Sequence, residues 1–159
     1  MVRWLQRQLA SLLWAVIIEL DRPTMSQPQT NSADPGDETK PLVFAVDDEP
    51  MLLELVSMVL EPIGCRVRTF RDPGTALRAF SLSNPRPALI VTDFAMHSMN
   101  GMDLIRECRR MNPEQKIILV SGTVDETIYR DSPVKPDSFL AKPYPAKQLA
   151  ELVKSLLAK

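Results

Sequence analysis

The stretch PLVFAVDDEP, residues Pro41 to Pro50, joins an apolar run to a cluster of acids. Leu42 to Val46 has the composition of a buried strand, and Asp47 and Asp48 follow directly at its carboxyl end. Two like charges this close repel by about 1 kcal/mol in water, and by more where water is scarce. An acidic pair at the end of a core strand therefore needs a compensating positive charge.

Residues 41–159 repeat this kind of strand and alternate it with helical patterns. Strand-like runs are LVFAV, CRVRTF, ALIVT, KIILVS and SFLA. Apolar residues three and four positions apart predict helices, with core faces at Leu52, Leu55, Val56, Val59 and Ile63, and at Leu149, Leu152, Val153, Leu156 and Leu157. Asp72-Pro73 and Asn100-Gly101 are typical helix starts. The alternation predicts an α/β fold with a parallel sheet, in which the half-polar CRVRTF forms an edge.

The composition narrows the possible functions. A net charge of −1 over 159 residues provides no basic surface for nucleic acid, so direct nucleic-acid binding is not expected. Cys65 and Cys108 lie far apart without metal-ligand spacing, which fits a reducing compartment. We expect a cytoplasmic protein.

The first 40 residues differ from the rest of the chain. Residues 1–24 contain a helical apolar stripe, and three interpretations stay open: a targeting segment, a start-site artefact preceding Met25, or an interfacial or partner-binding helix. The last would allow peripheral membrane contact through residues 1–20. Residues 25–40 are polar and predict a disordered linker, so the folded domain is expected at residues 41–159.

Chemically active side chains end several of the predicted strands. Asp93 ends the third strand, Ser121 the fourth and Lys142 the fifth. Ligands of open α/β sheets bind outside the carboxyl ends of the strands, so these residues would converge with Asp47 and Asp48 if the first and third strands are neighbours. Taken singly, each has a simpler interpretation, such as a helix cap or a solvated loop residue.

Together these residues predict a site for a divalent cation and a phosphoryl group. Clustered carboxylates suit Mg²⁺, which also takes water and phosphate oxygens. Lys142 would suit an anion shared with the metal, and Ser121 could donate a hydrogen bond to that anion. A carboxylate can itself accept a phosphoryl group and become an aspartyl phosphate.

Four segments carry a family resemblance: VFAVDDEPMLLELV, LIVTDFAMHSMNGMDLI, ILVSGT and FLAKPYPAKQLAELV. They resemble the receiver domain of bacterial two-component response regulators, over essentially all of residues 41–159. The resemblance implies a doubly wound, flavodoxin-like parallel sheet of five strands in the order 2-1-3-4-5, with five helices. Because the chain stops just after the last predicted helix, we expect a stand-alone, single-domain regulator without an output domain.

The resemblance also implies a role for individual residues. Asp93 would be the phosphoacceptor and a metal ligand, with Asp47 and Asp48 as the acidic metal pair and the Ala95 backbone carbonyl as a further ligand. Ser121 and Lys142 match the family's hydroxyl and lysine positions. Lys142 is followed by Pro143, through a peptide bond that is often cis in the family. Phe139 matches the aromatic switch position and would respond together with Ser121.

Two features depart from the family pattern. His97 replaces the proline usual in the loop after the phosphoacceptor, and we interpret it as an exposed bystander. The fourth helix should be short, because Pro133 and Pro136 stop it. The resemblance also implies that the fourth helix, the fifth strand and the fifth helix form the face that binds partners. Tyr144 and Lys147 are expected near this face, at the start of the fifth helix.

The sequence therefore predicts a signalling module that takes a phosphoryl group from a histidine kinase or a histidine phosphotransfer protein. Phosphorylation would change its binding to a downstream protein that the sequence does not name. Its catalysis would be limited to its own Mg²⁺-dependent phosphorylation and dephosphorylation. The alternative is a receiver-like interaction module that is never phosphorylated. A flavodoxin-like cofactor binder is disfavoured, because the acids after the first strand would repel its phosphate.

Overall fold

The computed structural model describes residues 39–122 and 127–158. Within these ranges a single sheet contains five parallel strands in the order β2-β1-β3-β4-β5. The strands are β1 (Leu42–Val46), β2 (Arg66–Phe70), β3 (Leu89–Asp93), β4 (Ile117–Ser121) and β5 (Ser138–Ala141). The predicted fold class and strand order are confirmed. The expectations for residues 1–38 lie outside the described residues.

Five helices connect these strands in the part of the chain that the structure describes: α1 (Pro50–Leu60), α2 (Pro73–Leu82), α3 (Gly101–Met111), α4 (Thr127–Arg130) and α5 (Ala146–Leu157). The predicted starts of α2 and α3 are confirmed. Asp72 accepts a hydrogen bond from the Thr75 amide, and Asn100 accepts one from the Asp103 amide. Within the described residues α4 is a single turn, and it ends before Pro133 as predicted.

The predicted core face of α1 is wrong by part of a turn. The residues that α1 buries are Leu53, Val56 and Leu60, and of the predicted set only Val56 is fully buried. Val59 and Ile63 pack at the margin of the core. Adjacent leucines at positions 52 and 53 allow two overlapping stripes, and only packing against the sheet decides between them. The core face of α5 is confirmed by buried Leu149, Val153 and Leu156.

A hydrophobic core lies on each face of the sheet. α1 and α5 cover one face, where Val43, Val91 and Val120 point, and α2 and α3 cover the other, with Phe44, Ile90 and Leu119. The central strands are buried on both faces, as expected for parallel strands between helices. Among the described residues, we find no helix with the length and hydropathy that a membrane span requires.

Gly101 packs tightly against the end of β3. A Cβ atom at this position would collide with the Asp93 carbonyl oxygen and lie 2.8 Å from Leu119 Cδ1. Both neighbours belong to the central sheet, which cannot move aside easily. The side-chain-free start of α3 therefore helps to fix the backbone of Asp93.

We predict that Gly101→Ala lowers the free energy of unfolding by about 1–3 kcal/mol, because it overpacks this contact. Gly74→Ala in α2 is the matched control, since its Cβ would approach only the end of the Asp72 side chain, at 3.2 Å. Urea unfolding of both variants measures the difference. Equal stabilities of the two variants would contradict the assigned role of Gly101.

Candidate functional site

Backbone hydrogen bonds continue past the strand ends and fix the residues that carry the candidate site. The amide of Asp47 donates to the Phe70 carbonyl over 3.1 Å, and that of Phe94 donates to the Val120 carbonyl over 2.8 Å. The Lys142 amide donates to the Ser121 carbonyl over 2.7 Å. The ends of β1, β3 and β5 therefore lie at the same rim of the sheet, where they place Asp47, Asp93 and Lys142.

Three carboxylates meet at this rim. Asp47, Asp48 and Asp93 each place an oxygen atom within 4.8 Å of the others. Asp47 and Asp93 are only 8% and 7% exposed, while Asp48 is half-buried. The convergence predicted from the strand order is therefore present.

Lys142 bridges two of these carboxylates. Its Nζ atom donates to Asp93 Oδ1 over 2.8 Å and to Asp47 Oδ2 over 2.9 Å. Burial by itself would lower the pKa of Lys142, but the attraction of Asp47 and Asp93 outweighs it and raises that pKa to about 12. Lys142 follows β5 and precedes Pro143 through a cis peptide bond.

The cluster remains electrostatically unfavourable despite Lys142. Burial raises the pKa of Asp47 to about 6; the Lys142 ammonium opposes this shift and the Asp93 carboxylate adds to it. The raised pKa favours the charged form of Lys142, because two carboxylates attract it. The raised pKa of Asp47 disfavours its charged form, because burial and the Asp93 carboxylate outweigh the attraction of Lys142.

Backbone amides orient two of the acids. The Ala95 amide donates to Asp93 Oδ2 over 2.8 Å, and the Glu49 amide donates to Asp47 Oδ1 over 2.9 Å. With Lys142 on the opposite oxygen of each group, both carboxylates are held in one rotamer. Ala95 lies immediately beside the cluster, as its expected role requires.

The donor set fits a hard divalent cation. Asp48 Oδ2 is buried and, apart from a contact with His97 Nδ1, has no hydrogen-bond partner in the described ranges. A buried anionic oxygen without a donor is costly, and a bound cation would satisfy it. Three carboxylates within reach of one ion supply the all-oxygen environment that Mg²⁺ and Mn²⁺ prefer.

His97 is not the bystander that the sequence suggested. Its side chain is 70% exposed, but its Nδ1 atom contacts Asp48 Oδ2. The sequence could not reveal this contact, because it depends on the path of the loop between β3 and α3. His97 is therefore a residue beside the site to which the sequence analysis assigned no role.

Of the two expected switch residues, Ser121 lies at the same rim of the sheet and Phe139 lies three positions before Lys142. Ser121 is buried at the end of β4, and Phe139 is half-buried in β5 beside Leu119 of β4. The ring of Phe139 contacts that of Tyr129 in α4, with centroids 6.0 Å apart. This ring contact joins β5 to α4.

Tyr144 lies two residues before α5, where it was expected, and its side chain is half-buried. It packs at the margin of the core and, with Asp47 and Asp93, lines a cavity of about 10 Å³, enough for one water at most. Burial raises the pKa of its phenol. Lys147 lies at the start of α5 and is exposed.

Comparison with known proteins gives a consistent family assignment. Residues 43–154 match the family model described as the response regulator receiver domain. The chain is 30% identical over 117 residues to the probable transcriptional regulatory protein TcrX of Mycobacterium tuberculosis, covering 72% of this chain and 49% of that protein. It is 40% identical over 118 residues to the sensor kinase CckA of Brucella abortus, covering 74% of this chain and 12% of that protein. The chain thus spans about half or less of the length of these relatives.

A solved structure shows the same fold. The response regulator protein TrrA from Thermotoga maritima, in complex with Mg²⁺ and beryllium fluoride, superimposes with a TM-score of 0.63 and 27% identity. The match covers 73% of this chain and 98% of that structure.

We predict that Asp47→Asn stabilises the metal-free protein at pH 7 by up to about 2–3 kcal/mol, since it removes the buried charge. The raised pKa of Asp47 means that its ionisation opposes folding. The penalty is absent below about pH 4, grows as pH rises through the interval from 3.8 to about 6, and is complete above it. The gain from Asp47→Asn should follow the same course.

Urea unfolding in EDTA across pH 4–8 measures this gain. Asp103→Asn, at a half-buried aspartate of α3 that pairs with Arg106 outside the cluster, is the control and should not stabilise the protein at pH 7. An Asp47→Asn variant less stable than the parent at pH 7 would contradict the assigned balance between burial and Lys142.

Proposed function

Because the chain belongs to the response regulator receiver domain family, we propose that Asp93 accepts a phosphoryl group from a phosphohistidine. The observation that carries this proposal is the position of Asp93 between Lys142 and the other two acids, with Lys142 Nζ 2.8 Å from its Oδ1. A nucleophilic carboxylate needs a neighbouring cation, because its negative charge repels the incoming phosphoryl oxygens.

The cation of the site is proposed to be Mg²⁺. Asp48, Asp93 and the Ala95 backbone carbonyl would ligate it directly, and Asp47 mainly through water. The orphaned Asp48 Oδ2 and the close carboxylates support this assignment, as does the Mg²⁺ complex of the related TrrA. When bound, Mg²⁺ neutralises charge on the transferring phosphoryl group.

The proposed reaction transfers one phosphoryl group between two nucleophiles. A carboxylate oxygen of Asp93 attacks phosphorus, and the bond from phosphorus to the donor imidazole breaks. The electron pair stays on the imidazole nitrogen, and Asp93 becomes an acyl phosphate. Lys142 would turn from the Asp93 carboxylate to a phosphoryl oxygen and keep its charge throughout, since its pKa is raised to about 12.

Ser121 is proposed to report the phosphate to the surface. Its hydroxyl would donate a hydrogen bond to a phosphoryl oxygen, and Phe139 would fill the space that the hydroxyl leaves. The contact between Phe139 and Tyr129 supports this route, because it joins β5 to α4. Two discrete packings of this kind form an element that a ligand can bias.

The proposed partners follow from this arrangement. A histidine kinase or a histidine phosphotransfer protein would supply the phosphoryl group, and the face of α4, β5 and α5 would bind a downstream protein. A net charge of −1 does not favour direct contact with nucleic acid. The free thiols of Cys65 and Cys108 are consistent with a cytoplasmic location.

We predict that Asp93→Asn abolishes phosphorylation by acetyl phosphate in Mg²⁺, because the amide lacks the nucleophilic oxygen. The matched control is Asp103→Asn, which should be labelled like the parent. Intact-mass measurement of the hydroxylamine-sensitive adduct of about 80 Da checks both variants. An unchanged adduct on the Asp93→Asn protein would refute the assignment and favour an unphosphorylated interaction module.

We also predict that Ser121→Ala weakens the coupling between Asp93 and α4. On addition of beryllium fluoride and Mg²⁺, the amide resonances of Tyr129 and Phe139 should shift strongly in the parent and weakly in the variant. Coupling between two sites is typically 1–3 kcal/mol, or roughly 5–150-fold in affinity. Equal shifts in both proteins, with beryllium fluoride bound equally, would exclude Ser121 as the link.

A further inference from the structure

Hydrogen bonds fix the loop that contains His97, both before and after this residue. Before it, the Ala95 amide donates to Asp93 Oδ2 over 2.8 Å. After it, the Ser98 hydroxyl donates to Asp72 Oδ1 over 3.1 Å. These two anchors hold the backbone of His97 beside the carboxylate cluster, so its proximity does not depend on its own side-chain contact.

The contact that His97 makes is with a buried cluster oxygen that no other described residue hydrogen-bonds. His97 Nδ1 touches Asp48 Oδ2, which is buried and otherwise unsatisfied among residues 39–122 and 127–158. Two atoms that both carry lone pairs repel each other unless they share a proton or a cation. The contact therefore indicates that something positive belongs between them or next to both.

A shared proton is the weaker of the two explanations. The imidazole is 70% exposed, so solvent screens its charge and an ion pair with Asp48 would contribute little. A shared metal ion could be bound by both His97 Nδ1 and Asp48 Oδ2, because neutral imidazole and carboxylate are each good metal ligands. The exposed ring can also rotate towards an ion at little cost.

We propose that His97 supplies a nitrogen ligand to the ion held by Asp47, Asp48 and Asp93, and that the site thereby favours a divalent first-row transition ion. Imidazole nitrogen binds Ni²⁺, Co²⁺ and Zn²⁺ well, and it adds little for Mg²⁺, which prefers oxygen. His97 then determines metal specificity. The inference rests on the proposed cation site, but it does not depend on phosphorylation of Asp93.

The chain offers an unusually clean test, because His97 is its only histidine. Any imidazole nitrogen coupled to a bound ion must come from this residue in full-length protein without a histidine tag. Pulsed electron paramagnetic resonance of the Cu²⁺-loaded protein should show coupling to an imidazole ¹⁴N nucleus, because Cu²⁺ is a paramagnetic first-row ion that binds imidazole well. The coupling should vanish in His97→Gln, which keeps a polar side chain of similar length. A parent spectrum without imidazole coupling overturns the proposal.

Calorimetry gives the second measurement. His97→Gln should weaken Ni²⁺ binding by about tenfold or more, the size of effect typical for residues that tune a metal site. Mg²⁺ affinity should change by less than about twofold. Equal changes for the two ions overturn the proposal, and tighter Mg²⁺ binding in the variant overturns it too, since the imidazole would then be blocking Asp48.

Asp48→Ala separates failure of this inference from failure of the proposed cation site. If the site is assigned correctly, Asp48→Ala weakens both Ni²⁺ and Mg²⁺ binding sharply. If Asp48→Ala binds both ions as tightly as the parent, the cation site itself is wrong and the inference falls with it.

Discussion

The mutual repulsion of three carboxylates at one rim of the sheet is the constraint on which the rest of the site depends. Lys142 is the cation that the described structure sets against it, through bonds of 2.8 and 2.9 Å to Asp93 and Asp47. The compensation is incomplete, because burial still raises the pKa of Asp47 to about 6. The three carboxylates carry more negative charge than Lys142 neutralises, so the site is suited to a second cation. An incoming phosphoryl group, which is itself negative, would require that cation as well.

Strand order is what brings these groups together. β1 pairs directly with β3, so Asp47 and Asp48 emerge beside Asp93, and β4 and β5 follow on the same side with Ser121 and Lys142. β2 lies at the far edge of the sheet. Its last residue, Phe70, accepts the Asp47 amide hydrogen bond, and the following Asp72 caps α2 and anchors Ser98. The same order connects the site to the surface, since Phe139 in β5 contacts both β4 and α4.

Much of this arrangement could be predicted from the sequence, because parallel strands and their end residues leave a strong local pattern. The runs LVFAV, ALIVT and IILV are apolar on both faces, and Asp93, Ser121 and Lys142 stand directly at or after strand ends. The predicted core face of α1 was wrong because Leu52 and Leu53 both fit a helical apolar stripe. Packing against the sheet buries Leu53. The contact of His97 with Asp48 and the inward packing of Tyr144 depend on loop paths, which single-residue preferences do not encode.

The central claim is that Asp93 and its neighbours form a phosphoryl and cation site. A crystal structure of the protein grown with Mg²⁺ and beryllium fluoride tests it most directly. The account predicts beryllium bonded to an Asp93 oxygen, a cation in contact with Asp48 and Asp93, and Lys142 Nζ turned to a fluorine atom. Beryllium fluoride on another carboxylate, or its absence at saturating concentration with Asp93 still paired to Lys142, would contradict the account.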